Sequence, residues 1–282
     1  MCEFRPAAYP AGGVACKLGL APEEDPLANS AAETHNIAVY IDLENVAIGC
    51  RDARYKVFDV SLVMKRMIDK GNVVTRRAYA DWTRYPDYRR PLHEAGVELI
   101  EMPGSKLTGK NSADIKMVVD ALELSYTKPH IDTFALVTGD SDFCPVVSKL
   151  RENDKYTVAV GVKKSTSKLL IDTCDEFVYY DDLVRAGGRT RIRGEQLTKP
   201  MREAFELVLE AGRALQRENK DLHSSLVKDT IKRKQPQFNE EYHGYRSFTR
   251  LLEDAAKHGV ISIQKDDRSG TYVITELLGE TS

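Results

Sequence analysis

Two closely spaced aspartates are the residues of this sequence best suited to chemistry. Asp140 and Asp142 come directly after residues 134–137, an apolar run of strand type that stops at Thr138 and Gly139. In open α/β sheets the carboxyl ends of the strands face the ligand crevice, and carboxylate oxygens suit a hard cation such as Mg²⁺ or Mn²⁺. A helical pattern follows Asp142, so helix capping by this residue is the alternative. The pair alone leaves both interpretations open.

Two more aspartates occupy comparable positions. Asp42 directly follows residues 37–41, which have the pattern of a buried strand. Asp114 lies near the start of a helical pattern, and an acid there also favours the helix dipole, which is the alternative to a role in chemistry. The apolar residues of this helix recur at the i, i+3, i+4, i+7 spacing that predicts a buried stripe. They are Ile115, Val118, Val119 and Leu122.

The elements that must position these acids alternate between strands and helices. Strands are predicted at residues 37–41, 73–80, 97–101, 134–137, 157–161 and 177–180. The alternation predicts an α/β fold with a mostly parallel, doubly wound sheet and flanking helices. Asp42 and Asp140 would then leave their strands at one edge of the sheet, where the helix of Asp114 begins. Mutual repulsion would make this cluster unstable unless cations neutralise it.

The composition narrows the function classes. A chain of 282 residues is long enough for two domains, and a net charge of −2 argues against purely electrostatic nucleic-acid binding, which leaves local basic patches. The five cysteines include no Cys-x-x-Cys pair, so neither a disulfide framework nor a zinc site is expected. The sequence lacks an apolar run of about 18 residues and the apolar segment of a signal peptide, which predicts a cytoplasmic protein without membrane contact.

Three segments lie outside the predicted α/β domain at 36–183. Residues 1–35 contain four prolines and no sustained period, which predicts a disordered tail. Residues 184–199 contain four arginines around a glycine pair and are predicted to form a basic linker that helps hold nucleic acid. Residues 200–278 show three helical patterns followed by a hairpin, the arrangement of a winged helix.

Four motifs in order resemble the NYN domain, of the LabA-like group within the PIN-like nuclease fold. They lie at 39–45 (Val-Tyr-Ile-Asp-Leu-Glu-Asn), at 110–114 (Lys-Asn-Ser-Ala-Asp) with 119–122 (Val-Asp-Ala-Leu), at 136–143 (Leu-Val-Thr-Gly-Asp-Ser-Asp-Phe), and at 167–170 (Ser-Lys-Leu-Leu) with 174–177 (Cys-Asp-Glu-Phe). The resemblance covers nearly all of the predicted α/β domain and implies a PIN-like fold.

The same resemblance implies a metal-dependent ribonuclease that hydrolyses RNA phosphodiesters. It makes Asp42, Asp114, Asp140 and Asp142 the catalytic residues and the ligands of Mg²⁺ or Mn²⁺, with Asn45 as a polar neighbour on the substrate side. A divalent ion lowers the pKa of its bound water and offsets charge on the scissile phosphate, which side chains alone do not achieve at neutral pH.

Further substrate contacts are hypotheses with simpler alternatives. Lys110 is a candidate phosphate contact, and the simpler alternative is a lysine that only faces solvent. Ser167 is a candidate for presenting its hydroxyl and backbone N–H to RNA, and the simpler alternative is a serine that only caps a helix. Arg84 lies in a segment that mixes arginines with aromatic residues. Arginines can hold phosphates and aromatic rings can stack on bases, while the simpler alternative is a helix face exposed to solvent. Asp120 lies six residues beyond Asp114, on a different helix face, and is predicted to be peripheral.

The C-terminal region resembles the OST-HTH (LOTUS) domain. Its matching stretches are 226–228 (Leu-Val-Lys), 236–238 (Pro-Gln-Phe), 242–245 (Tyr-His-Gly-Tyr), 247–248 (Ser-Phe), 251–252 (Leu-Leu) and 270–273 (Gly-Thr-Tyr-Val). This resemblance implies RNA binding or protein docking, with self-association as one form of docking. Lys232 and Arg233, together with Lys228 and Lys234, are candidate phosphate contacts, although charge runs usually mark solvated faces.

Two other function classes stay open at this point. A non-catalytic RNA-binding or regulatory LabA-like protein would retain the same acidic pocket, although a full set of acids favours the enzyme. A DNA-binding regulator that uses the winged helix is less favoured, because the second predicted helix lacks a dense basic stripe able to reach base edges.

Overall fold

The computed structural model describes residues 35–102, 112–186, 197–266 and 270–278, and the statements below concern these residues. Three of the sequence predictions fall mainly outside them. Lys110 lies outside the described residues, as does the predicted tail apart from its last residue, and as do residues 187–196 of the predicted linker.

Six strands form the sheet of the α/β region. They are β1 (His35–Asp42), β2 (Gly71–Ala80), β3 (Glu98–Glu101), β4 (Thr133–Val137), β5 (Tyr156–Gly161) and β6 (Glu176–Tyr179). Their order is β3-β2-β1-β4-β5-β6, and each neighbouring pair is parallel. The predicted α/β fold with a mostly parallel sheet is therefore confirmed. The strand order reverses between β1 and β4, the place at which doubly wound sheets bind ligands.

Helices cover both faces of this sheet. They are α1 (Leu43–Asp52), α2 (Val60–Lys70), α3 (Pro86–Glu94), α4 (Ser112–Thr127), α5 (Cys144–Glu152), α6 (Lys168–Thr173) and α7 (Tyr180–Ala186). Alternate residues of β1 enter different hydrophobic clusters, with Val39 and Ile41 in one and Ala38 and Tyr40 in the other. The central strand is thus apolar throughout because it is buried on both faces. No helix within the described ranges is both long and apolar enough to span a membrane.

Two of these helices were not predicted from the sequence. α1 begins at Leu43, directly after the last residue of β1, and α7 begins at Tyr180, directly after β6. In both places no turn residues separate the strand from the helix, and at α1 the boundary is marked by the capping Asp42 alone. α7 also takes up residues 184–186, which the sequence assigned to the linker.

The predicted buried stripe of α4 is half correct, because Val118 and Leu122 pack against the core while its other two residues are exposed. Ile115 is 62% exposed and Val119 is 52% exposed, whereas the buried residues of this helix include Met117, Asp120 and Ala121. Both sets have helical spacing, so periodicity alone does not distinguish them. The tertiary contact that decides is polar, because the buried Asp120 carboxylate accepts a hydrogen bond from the Tyr79 hydroxyl at 2.8 Å.

Residues 197–278, here called the C-terminal unit, have a hydrophobic core of their own. The unit contains α8 (Lys199–Arg217), α9 (Ser224–Lys234), α10 (Phe248–Lys257) and the antiparallel strands β7 (Ile261–Lys265) and β8 (Tyr272–Leu277). Phe205, Leu209, Leu251 and Leu252 are fully buried within it. The three helices and the hairpin agree with the predicted elements, while the winged-helix assignment and the domain boundaries stay predictions.

Ion pairs attach the C-terminal unit to the end of α2. Lys70 Nζ lies 2.9 Å from Glu218 Oε2. Asp69, whose side chain is 1% exposed, lies with its carboxylate 2.5 Å from Lys234 Nζ and 3.0 Å from Arg217 Nη2. Because α2 ends where β2 begins, the contact is at the edge of the sheet where the strands start. Asp42 and Asp140 lie at the opposite edge.

Candidate functional site

Asp42 lies at the carboxyl end of β1 and is held there by two hydrogen bonds. As the N-cap of α1 it accepts a hydrogen bond on Oδ1 from the backbone N–H of Asn45 at 3.2 Å. Its Oδ2 accepts a hydrogen bond from the Thr138 hydroxyl, which follows β4, at 3.1 Å. The residue is only 6% exposed. The carboxylate therefore has a fixed position between the two strands that flank the switch point.

The surroundings of Asp42 disfavour its charged form. Burial raises the pKa of this carboxyl to about 7, and the negative charges of Asp114 and Asp140 act in the same direction. The hydrogen bonds from Asn45 and Thr138 act to lower the pKa but do not compensate. The three carboxylates thus interact through their charges, and a proton or a cation would relieve their repulsion.

Asp140 and Asp142 follow β4, where Asp140 directly precedes the 3₁₀ turn Ser141–Phe143 and Asp142 lies within it. Asp140 is half-buried and caps this turn, because its Oδ1 accepts a hydrogen bond from the backbone N–H of Asp142 at 3.0 Å. The capping alternative considered for Asp142 therefore applies to Asp140 instead, and the N-cap of α5 is Phe143, which makes no side-chain capping bond. The Asp142 side chain is exposed to solvent.

Asn45 and Ser167 both contact the Gly139 turn beside Asp140. The side-chain oxygen of Asn45 accepts a hydrogen bond from the Gly139 N–H at 2.8 Å. The backbone N–H of Ser167 donates to the Gly139 carbonyl at 2.9 Å, while its hydroxyl caps α6 by accepting a hydrogen bond from Leu169 N–H at 3.3 Å. The structure thus brings both residues to the site, with contacts that fix the turn.

The two acids of α4, Asp114 and Asp120, have different surroundings. Asp114 lies in the first turn of α4 and acts on Asp42, as described above. Asp120 is 5% exposed and is bonded by Tyr79 and Lys116, so its carboxylate already has partners within the protein, and its predicted peripheral role stays a prediction. Within the described residues, no group of three or more His, Cys, Asp or Glu side chains is close enough to form a ready-made metal cage.

Arg84 is the predicted basic contact that lies near the crevice. Its Nη1 is 3.6 Å from Glu44 Oε2, in the first turn of α1, and its guanidinium lies 5.9 Å from the centre of the Tyr85 ring. The neighbouring Trp82 is 1% exposed and donates a hydrogen bond to the Ile100 carbonyl at 2.9 Å. This tryptophan is part of the core and does not offer a stacking face.

Lys232 and Arg233 lie on α9, away from the crevice. Arg233 donates hydrogen bonds to the carbonyls of Ile68 at 2.8 Å and Asp69 at 3.1 Å, in the last turn of α2. Its guanidinium is therefore engaged in the attachment of the C-terminal unit. Lys232 is exposed.

The sequence reasoning missed Thr138 as a site residue. A threonine between an apolar strand and a glycine carries little signal by itself. Its hydroxyl donates to Asp42, 96 positions earlier in the chain, and also accepts the Asp140 N–H at 3.3 Å, so it joins the two acids.

The α/β region is thus a doubly wound protein whose parallel sheet fits a PIN-like domain, with acids at the switch point. The model of the NYN domain family matches residues 36–181, slightly more than half of the chain, and the chain belongs to this family. The match does not extend to the C-terminal unit, and the OST-HTH resemblance stays a prediction.

Two relatives were compared with the chain. An uncharacterized protein of Methanocaldococcus jannaschii, MJ0482, is 27% identical over 173 residues, which are 61% of this chain and 63% of that protein. This chain therefore covers less than two thirds of the length of that relative. The crystal structure of VPA0982, a protein of unknown function from Vibrio parahaemolyticus, is 28% identical, covers 54% of this chain and 97% of its own, and has a TM-score of 0.48.

Proposed function

We propose that this protein is a metal-dependent endoribonuclease that hydrolyses RNA phosphodiesters in the crevice between β1 and β4. The observation that supports it most is the environment of Asp42, a buried carboxylate held by Asn45 and Thr138 within the field of two further acids. Ordinary packing gives no reason to gather these charges, whereas cation binding does.

The donor set fits Mg²⁺ or Mn²⁺, because it consists of carboxylate oxygens. Asp42, Asp114, Asp140 and Asp142 would hold the ion. When bound, the ion would supply an activated water and charge neutralisation for the phosphate.

The chain's own residues orient the site. Thr138 and the Asn45 N–H fix both oxygens of Asp42, and the Asn45 side chain fixes the Gly139 turn that aims Asp140. Such hydrogen bonds hold the acids without reorganisation during the reaction. Asp142 is exposed and would approach the substrate from the solvent side.

The C-terminal unit is proposed to recruit RNA or to dock a protein, including a second copy of this chain. NYN nuclease domains generally bind RNA, and a three-helix unit with a hairpin is compatible with nucleic-acid binding. Lys232 is the exposed member of the predicted basic pair. The proposal includes a cytoplasmic location.

Cleavage of labelled single-stranded RNA tests the proposal. With Mn²⁺ or Mg²⁺ we expect cleavage that EDTA abolishes and that Asp140→Asn/Asp142→Asn reduces at least about a hundredfold, because the cation loses two ligands. Asp172→Asn, an exposed acid on α6, is the matched control and should cleave like the original chain.

Two other results would redirect the proposal. Binding of RNA without cleavage by the unaltered chain would favour the non-catalytic RNA-binding alternative. Tighter, more salt-dependent binding to duplex DNA than to single-stranded RNA would favour a DNA-binding regulator.

A further inference from the structure

A group of exposed cations lies where the end of α1 meets the loop that follows β5. Arg51 and Arg54 lie at the end of α1, and Lys163 and Lys164 lie on the loop that follows β5. These four residues are here called the α1 flank. Lys164 Nζ lies 3.4 Å from the carbonyl oxygen of Asp52, the last residue of α1, so the helix end and the loop are adjacent.

The loop that bears the two lysines is held tightly in place. The backbone N–H of Lys163 donates to Asp181 Oδ2 at 2.8 Å, and the Thr166 hydroxyl donates to the Val162 carbonyl at 2.8 Å. A Cβ atom on Gly49 of α1 would lie only 2.4 Å from Ser165 Oγ, so the loop packs directly on that helix. The positions of the lysines are therefore set by the fold.

The same loop continues to the crevice. Four residues after Lys163, the Ser167 N–H bonds to the Gly139 carbonyl, one residue before Asp140. At the other end of α1, Arg84 lies beside Glu44 in the first turn. Exposed cations thus border the acid crevice on two sides, at the sheet edge opposite to the C-terminal unit.

The charges along this path are complementary to a phosphodiester backbone. The crevice acids alone would repel RNA, so the substrate requires cations close by. Among the acids of the flank, Asp181 is engaged by the Tyr55 hydroxyl at 3.0 Å and by the Lys163 N–H. Asp52 lies 3.9 Å from Arg51 Nε, and its charge offsets part of one arginine.

We propose that the α1 flank binds the backbone of single-stranded RNA and leads it into the acid crevice. The inference rests on the proposed function, and it states where the RNA substrate of that function binds. It assigns the first RNA contact to Lys163 and Lys164, which are not among the candidate contacts that the sequence predicted in the α/β region and on α9. Exposed lysine and arginine contacts to phosphate are independent of base sequence, so the flank would support binding of many RNA sequences.

The test is RNA binding by a chain that does not cleave. Asp140→Asn serves as the background in EDTA, and the anisotropy of labelled single-stranded RNA is measured across a salt series. In this background Lys163→Glu/Lys164→Glu should weaken binding by about tenfold or more and reduce the slope of log affinity against log salt by roughly 1.4, or about 0.7 for each lost contact.

The matched control is Lys128→Glu/Lys155→Glu, which makes the same change in charge at the other edge of the sheet, near the start of β4 and β5. Equal affinity and equal slope for the flank variant and this control would overturn the proposal. If the glutamate variant does not fold, Lys163→Gln/Lys164→Gln replaces it, with half the change in charge and the same direction of effect.

The outcome separates the two proposals. Weakened binding by the flank variant, together with no cleavage by the unaltered chain, supports the RNA path and contradicts the nuclease. Metal-dependent cleavage by the unaltered chain, together with unchanged binding and cleavage by Lys163→Glu/Lys164→Glu, supports the nuclease and contradicts the path.

Discussion

Asp42 combines a fixed position with a charge that the described protein groups do not neutralise. Its two oxygens accept hydrogen bonds from Asn45 and Thr138, yet burial and the nearby Asp114 and Asp140 hold its pKa near 7. The site is therefore organised at a cost in stability, as expected where carboxylates are gathered for a cation. That cost provides a readout independent of catalysis.

In EDTA at about pH 8, we expect Asp42→Asn to raise the Tm by about 2–6 °C, because asparagine keeps the capping acceptor and removes a buried charge. Mn²⁺ should then raise the Tm of the unaltered chain but not that of the variant. Differential scanning calorimetry with and without Mn²⁺ makes the measurement. A lower Tm for Asp42→Asn in EDTA would contradict the repulsion argument.

Asp120→Asn is the control, since Asp120 is also buried but is bonded by Tyr79 and Lys116. This change should destabilise the protein by about 1–3 kcal/mol, because it weakens satisfied charged hydrogen bonds. The stabilisation by Mn²⁺ and the cleavage of RNA should survive in Asp120→Asn. An activity loss as large as that of Asp140→Asn would place Asp120 in the site.

At the scale of elements, three chain segments meet at the Gly139 turn. α1 contributes the side chain of Asn45, β4 leads into the turn, and the start of α6 contributes the backbone of Ser167. Each segment reaches the crevice because parallel strands place their carboxyl ends at one edge. The hydrogen bonds to the Gly139 turn therefore fix the orientation of the neighbouring Asp140.

The two polar residues at this turn should therefore behave differently on truncation. Asn45→Ala leaves the Gly139 N–H without its acceptor and should cost about 1–3 kcal/mol and most of the RNA cleavage, since Asp140 loses its support. Ser167→Ala removes only a cap, costs about 1 kcal/mol and should keep cleavage within a few-fold. Urea denaturation and single-turnover cleavage measure both effects. A larger loss of cleavage from Ser167→Ala than from Asn45→Ala would return Ser167 to the substrate contacts.

At the scale of the whole molecule, charge attaches the C-terminal unit to the α/β region. Lys70, 7% exposed, is paired with Glu176 and Glu218, and Asp69 is paired with Arg217 and Lys234. The hydrophobic clusters of the two regions remain separate. An attachment made of ion pairs is specific in geometry but depends on salt and pH.

The pKa of Glu218 gives the direction of the pH dependence. Burial acts to raise this pKa, but the hydrogen bond from Lys70 and the charge of Arg66 outweigh burial and lower it below its usual 4.5. The stabilisation is therefore present above about pH 4.5 and is lost as the pH falls through the lowered pKa of the attached state. Acid should detach the C-terminal unit while its own core persists.

Glu218→Gln should reproduce this detachment at neutral pH, because Lys70 and Arg66 then share Glu176 alone. Hydrogen exchange of the last turn of α2 should increase, and high salt should have the same effect on the unaltered chain. Glu203→Gln is the control, since this glutamate on α8 is half-exposed and lies beside Lys199 of the same helix. Equal exchange in the two variants would show that the ion pairs of Glu218 do not hold the unit.

Local patterns determined much of this protein from the sequence alone. Apolar runs predicted the strands of the sheet, their alternation with helices predicted its parallel order, and that order put Asp42 and Asp140 at one edge. The NYN motifs identified the family that the comparison confirmed. The physical reason is that strand burial and chain connectivity are recorded in neighbouring residues.

Only the tertiary structure decided which partners the side chains have. The buried face of α4, the bond from Thr138 to Asp42 and the contact of Arg233 with α2 all depend on residues distant in sequence. Helical spacing is the same on either face of α4. The sequence of a charge run is likewise the same whether its side chains face solvent or an acidic partner. Burial and charge pairing are set by the packing of whole elements, which no short pattern records.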